Sequence, residues 1–243
     1  MRLPTTCLLL ALAASPALAL AQDADDEATW SVEGSVSVMS DYVWRGVTQT
    51  DGKPSLQGEF AVSHASGLYA GVWASNADFD DPDDGIDHEI DVYLGWTREL
   101  ADGVELDLAV ARAMYPGAND GYELDYTEFT ANLSFAEHYT VGVAYSPDIF
   151  QLGDKGIYYN ALAEYPLGES GFGLKLGAGW YDLDDAAGDS YGDWLLGVTR
   201  SFGPIDAELQ YTNTFSYGEA LSENLDDASK AGSQVALLLG WSF

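Results

Sequence analysis

The chain closes on Gln234-Val-Ala-Leu-Leu-Leu-Gly-Trp-Ser-Phe243. Counting back from the end, every second residue is large and apolar: Phe243, Trp241, Leu239, Leu237 and Val235. Between them stand Ser242, Gly240, Leu238, Ala236 and Gln234, which are mostly small or polar. Successive side chains of a β-strand point to opposite faces, so this is a ribbon with one apolar face and one small, polar face. A soluble sandwich strand fits that description. A terminal aromatic with a second aromatic two residues earlier fits the closing strand of a bacterial outer-membrane barrel better, and the remainder of the chain must choose.

The opposite end supplies an address. Met1-Arg2 is a short basic region, Leu8 to Leu20 is an apolar run, and Ala19-Leu20-Ala21 is a small-x-small cleavage site before Gln22. The run is too short and Ala-rich for a spanning helix, and Asp23, Asp25, Asp26 and Glu27 follow at once. The expectation is a signal peptide over 1–21, a short acidic segment over 22–29, and one folded unit over 30–243. Cys7, the single cysteine, leaves with the leader, so the mature chain has no disulfide or thiol chemistry.

Removing Arg2 with the leader leaves eight Lys and Arg against forty Asp and Glu, a formal balance of −32. Such a chain repels phosphates, which excludes electrostatic binding of nucleic acid. Acidic chains are often disordered, but this one carries many aromatics and regular alternation. Beyond the leader no apolar run approaches the length of a spanning helix, so entry into a membrane would require a closed barrel in which every backbone group pairs strand to strand.

Alternation recurs along the chain. It marks strands at Trp30–Met39, Leu56–His64, Leu68–Asn76, Glu89–Leu100, Val104–Met114, Tyr126–Phe135, Tyr139–Tyr145, Ile157–Pro166, Phe172–Tyr181, Asp193–Phe202 and Ile205–Thr212, with Gln234–Phe243 as the twelfth. Five short turns, near 65–67, 101–103, 136–138, 168–171 and 203–204, alternate with six longer connections. Short periplasmic turns, longer outer loops and an even strand count describe an outer-membrane barrel. A sandwich would have shorter strands and no such alternation of connections. The expected fold is all-β: a single closed antiparallel transmembrane barrel of about twelve strands. Trp30, Trp96, Phe135, Tyr139, Phe172, Phe202, Trp241 and Phe243 lie near strand ends, as interfacial girdles require, and Arg98 and Arg200 lie close enough to short turns to reach water. The final strand should pair with Trp30–Met39, whose apolar phase it shares.

The segment Ser40-Asp-Tyr-Val-Trp-Arg-Gly-Val-Thr-Gln-Thr-Asp-Gly-Lys-Pro-Ser-Leu-Gln-Gly58 resembles the signature of the TorF family of porins. Ser66-Gly-Leu-Tyr-Ala-Gly-Val-Trp-Ala-Ser-Asn76 and Leu124-Asp-Tyr-Thr-Glu-Phe129 resemble further blocks of that family. The resemblance covers the mature chain and implies an outer-membrane barrel with a pore. Phe243 then stands at the periplasmic rim, and Val235, Leu237, Leu239, Trp241 and Phe243 become the signal read by the barrel-assembly machinery. The resemblance brings no substrate, no binding residues and no oligomeric state. Its partners are outer-membrane lipid, lipopolysaccharide and small solutes.

The polar face carries Glu33, Glu59, Asp91, Glu105, Asp107, Glu128, Glu164, Asp206 and Glu208, with Lys175 as the basic residue sharing it. In a water-filled lumen these carboxylates attract cations and repel anions, which predicts passive diffusion of small solutes with a cation preference. In a filled barrel they would instead pair with Lys175, Arg45 or Arg112 and with lumen Tyr and Ser. Arg45, between Trp44 and Gly46 in the first long loop, reads either as a constriction or plug anchor or as a solvated loop arginine. Asp78, Asp80, Asp81, Asp83 and Asp84 invite a calcium reading, but Pro82 occupies a ligand position and no Glu closes the loop; a solvated acidic loop fits better than a weak surface site bridging lipopolysaccharide. No cofactor is expected. Twelve-stranded barrels also include hydrolases, yet no Gly-x-Ser-x-Gly occurs, and His64, His88 and His138 sit at or near strand ends and turns. A non-conducting structural or surface-interaction barrel is the stronger rival to a channel.

Overall fold

The computed structural model describes residues 29–225 and 227–243. The expected leader, and the acidic segment apart from Thr29, lie outside these residues. Among them, twelve antiparallel strands close into a barrel. The strands are β1 (Trp30–Met39), β4 (Ser55–His64), β5 (Leu68–Asn76), β6 (His88–Ala101), β7 (Val104–Met114), β8 (Tyr126–Phe135), β9 (Tyr139–Ser146), β10 (Gly156–Pro166), β11 (Phe172–Asp182), β12 (Tyr191–Phe202), β13 (Ile205–Phe215) and β14 (Gln234–Ser242). Two further strands, β2 (Val43–Trp44) and β3 (Val47–Thr48), form a small separate hairpin inside the first long connection. The alternation gives no hint of that hairpin, because two-residue strands are too short to show a period. Two short helices, α1 (Asp184–Ala187) and α2 (Glu219–Asn224), lie in the last two long connections.

Each strand pairs with its sequence neighbours, and β14 closes on β1. Val36 faces Trp241 and Val38 faces Leu239, so the apolar phases of the two strands coincide across the seam. Beyond the ladder, the backbone N–H and C=O of Gly34 both bond to Phe243 at 2.9 Å. The seam joins five residue pairs, whereas β1 and β4 share ten.

Side chains of the apolar phase point outward. Leu56, Phe60, Val72, Leu94, Phe129, Val198, Leu209 and Leu237 are all exposed, a band that a protein in water alone would bury. Near the short-turn end Arg200 lies over the Phe172 and Phe202 rings, 4.4 and 4.9 Å from their centroids. Arg112 is also on the outer face, near the long-loop end, where it contacts Asp125 at 3.3 Å rather than a lumen carboxylate.

Turn chemistry matches the twist of the strands. Gly67 takes φ +92, and a Cβ there would stand 2.0 Å from the Thr97 carbonyl oxygen, so only glycine fits this turn. Between β8 and β9, where Phe135 pairs with Tyr139, Ala136 and Glu137 of the three-residue connection both take positive φ.

The long-loop end is closed by a second core. Tyr42, Trp44 and Val47 from the first long connection, Ala77 and Ile86 from the second, Tyr115 from the third, and Ile149 from the fourth meet Leu183 and Ala187 from the fifth and Leu221 and Ala231 from the sixth. They pack on inward-facing Ala113, Tyr126, Tyr181 and Tyr191 of the wall. All six long connections therefore fold over and into the mouth.

Candidate functional site

The barrel interior beneath this cap is organised by tyrosines and carboxylates. On the strands the rule is one of space: a bulky inward side chain lies flat where a neighbouring strand offers a glycine. A Cβ on Gly95 would stand 2.1 Å from the Tyr69 ring, one on Gly71 would stand 2.3 Å from the Tyr93 hydroxyl, and one on Gly179 would stand 2.1 Å from the Tyr158 hydroxyl. Laid against the wall in this way, each hydroxyl reaches a carboxylate. Tyr69 donates to Asp107 at 2.7 Å, Tyr93 to Glu59 at 2.5 Å, and Tyr158 to Asp193 at 2.9 Å.

At the capped end the β2–β3 hairpin drives Arg45 into the lumen. Arg45 and Gly46 occupy its turn with φ +47 and +80. A Cβ on Gly46 would meet Thr214 and Asp193 at 2.7 and 2.9 Å, so the turn itself lies close against the wall. The Arg45 guanidinium donates to both oxygens of Glu128, each at 2.8 Å, with side-chain exposures of 6 % and 2 %. Rings of Trp44, Tyr158 and Tyr181 surround it, with centroids 4.2, 4.2 and 4.6 Å from Cζ. Burial works against the guanidinium charge, but the Glu128 carboxylate outweighs it, and the pKa lies above its ordinary value. Both carboxylate oxygens on Nη2 and the aromatic faces around Cζ form a guanidinium box, in which Nη1 is buried without a hydrogen-bond partner.

Around the box lie further acids. Glu89 accepts from the Tyr42 hydroxyl at 3.2 Å and from the Tyr115 hydroxyl at 3.0 Å. Asp91, two residues further along β6, is 2 % exposed, and its Oδ1 has no hydrogen-bond partner. Small residues make room for these groups: Asp91 faces Ala113 on β7, and Ala111 faces Glu128 on β8.

On the opposite wall Lys175, 1 % exposed, lies 3.2 Å from Glu208. Gly197 stands between their strands, and a Cβ there would meet Glu208 Oε1 at 3.0 Å and Lys175 Cβ at 3.3 Å. Glu164 faces Lys175 across β10 and β11. Towards the short-turn end, Asp206 accepts from Ser201 at 2.5 Å, while Glu33 and Glu105 are half-buried on inward positions of β1 and β7.

The ten residues expected from the alternation take the inward phase of their strands, with Glu164 exposed there, but they form separate groups, not one ring. Arg45 joins Glu128, Lys175 joins Glu164 and Glu208, and Asp107 and Glu59 are held by tyrosines. Sequence reasoning missed Glu89 and Asp193. Glu89 has the same phase as Asp91, and that phase was a signal available in the sequence. It also missed the box tyrosines Tyr158 and Tyr181, since Tyr159 on the outer face looks the same in sequence.

The acidic loop is internally bonded. Asp78 accepts from the Asp80 amide, Asp81 from the Asp83 amide and Asp84 from the Ile86 amide, while Lys53 bonds to Asp78 at 2.7 Å. Among the described residues no cluster of His, Cys, Asp or Glu is arranged to hold a metal ion. Of the histidines, His64 Nδ1 accepts from the Ser66 amide and contacts its hydroxyl in a turn, His88 lies beside Asp87 at the loop rim, and His138 packs on Tyr165.

The family described as a bacterial protein of unknown function, Gcw_chp, matches residues 23–243. The chain belongs to the Gcw_chp family. No curated protein matches it in sequence. Among solved structures, this Gcw_chp barrel is similar to a protein titled KdgM porin, with TM-score 0.54 and 6 % identity over 87 % of this chain and 98 % of that one. It is also similar to a structure titled NanC porin, with TM-score 0.52 and 11 % identity over 88 % and 99 %. At such identities the likeness is one of fold, and it extends over nearly the full length of both porins.

Proposed function

We infer that the protein is an outer-membrane porin-like channel for small solutes, with an acidic lumen that favours cations and a loop plug that closes its outer mouth. One observation carries this reading: the inward phase of the strands is strongly acidic, and Lys175 is its basic residue among those described. Glu33, Glu59, Glu105, Asp107 and Asp206 lie there without a basic partner, so water entering the lumen meets a negative field. The outer apolar band fits a bilayer, the two porins supply a precedent for the fold, and the TorF-like blocks agree with a porin role. Outer-membrane lipid and lipopolysaccharide are the surrounding partners in this reading. Val235, Leu237, Leu239, Trp241 and Phe243 supply the assembly signal.

The apolar cap favours a second reading, a barrel that does not conduct and serves as a structural or surface-interaction element. Recording currents from the purified protein in planar bilayers separates the two. Stepwise cation-preferring conductance is expected. No steps at all, even after the plug is released, would remove the channel reading, and an anion preference would remove the cation claim.

A further inference from the structure

The box around Arg45 is chemically a binding site whose occupant is tethered to the protein. We propose that it is a receptor for small guanidinium-bearing cations, held shut in the resting state by Arg45 as an internal ligand, so that such a solute competes for the box and releases the plug. The inference rests on the channel reading for its consequence, though not for the binding itself.

The fit is to a planar guanidinium and not to cations at large. Glu128 holds one nitrogen of that group, Nη2, at 2.8 Å from both of its oxygens, a contact an ammonium could also make, so the preference lies in the rings. Tyr158 and Tyr181 present ring faces on which a planar, weakly hydrated cation stacks. Nearby, across one strand of small residues from Glu128, lies the buried Asp91 with an unpartnered oxygen, giving the box acid beyond what one guanidinium uses.

The box also survives departure of its occupant. Glu128, Tyr158 and Tyr181 belong to barrel strands β8, β10 and β11, whereas Arg45 and Trp44 sit on the β2–β3 hairpin. That hairpin is a two-stranded sheet of its own, joined to the wall by no ladder. Withdrawing it removes one ring and the resident cation, and leaves a carboxylate between two tyrosines facing the lumen. Occupancy by a solute and occupancy by Arg45 exclude each other, so a solute that fills the box favours the open mouth by mass action.

The test uses the full barrel refolded in detergent, with guanidinium ion and agmatine as probes and matched sodium and tetramethylammonium as controls. In R45A the box is vacant, and both probes are expected to raise the thermal unfolding midpoint saturably in the millimolar range while the controls do not. The added change E128Q should abolish the effect. R45Q, which keeps length but carries no cation, supplies the same readout if R45A does not fold. In bilayers, the probes should raise the open probability of the wild-type channel several-fold and leave the gating of R45A unaltered. Absence of saturable stabilisation in both variants, or equal stabilisation by the controls, would overturn the proposal. Stabilisation of R45A without any current from either protein would leave the receptor standing and remove the channel.

Discussion

Lys175 and Glu208 meet at 3.2 Å across an entire strand, and they do so because Gly197 leaves the wall between them bare. A charge pair in so enclosed a place is costly to break from one side, since the survivor keeps its charge without a partner. K175M should therefore destabilise the barrel by about 3 kcal/mol, within the usual span for one-sided loss of a buried pair. K175M combined with E208L should recover most of that loss. Urea unfolding of barrels folded into lipid vesicles measures both; equal stability of K175M and wild type would refute the assignment.

The Arg45–Glu128 pair makes a different prediction, about access. In E128Q the guanidinium keeps its burial and loses its counter-charge, so the hairpin should spend more time outside the mouth. A loss of about 2 kcal/mol, ordinary for hydrogen bonds to a charged group, raises the open population roughly 30-fold. Trypsin should then cleave after Arg45 correspondingly faster than in wild type. Mass spectrometry of the early fragments reads the site directly, and an unchanged rate would mean that Glu128 does not hold the hairpin.

Space, as opposed to charge, is tested at Gly95. A valine there suits a strand, yet its Cβ falls 2.1 Å from the Tyr69 ring, whose hydroxyl is held by Asp107. G95V should cost about 1–3 kcal/mol through overpacking. In a Y69A background the same change should be close to neutral. The coupling shows as non-additivity in a double-mutant cycle, and simple additivity would contradict the packing argument.

Selectivity is tested at Glu105 and Asp107, on one inward face of β7. Replacing them with Gln and Asn removes two negative charges while keeping shape, so the ratio of cation to anion permeability should fall. The reversal potential in a salt gradient reports this, and no shift would mean that ions do not pass these side chains.

The strands were legible because a half-lipid, half-lumen environment imposes a strict period of two, and no tertiary contact is needed to see it. The larger differences fall at the long-loop ends: β12 begins at Tyr191 and β13 runs to Phe215, since Gly192 pairs with Phe215 and prolongs the ladder past the alternating stretch. The inward carboxylates follow from the same period. The cap does not. Tyr42, Ile86, Ile149, Leu183 and Leu221 are scattered apolar residues in polar connections, one to three per loop, and they gain meaning only when six loops converge. Likewise Arg45 and Glu128 are separated by 83 positions, and no local pattern links an arginine in a turn to a glutamate on a distant strand.

The unequal ladders of β1 carry a last consequence. Ten residue pairs tie it to β4 and five to β14, so the cylinder has a built-in line of least resistance running along its length. Neighbouring strands elsewhere are hairpin partners in sequence and can zip locally. The β1–β14 contact instead brings together opposite ends of the folded chain, the entropically slowest join to make. The barrel should therefore mature as a curled open sheet that fastens at this edge last, and under heat or lateral tension it should come apart there first.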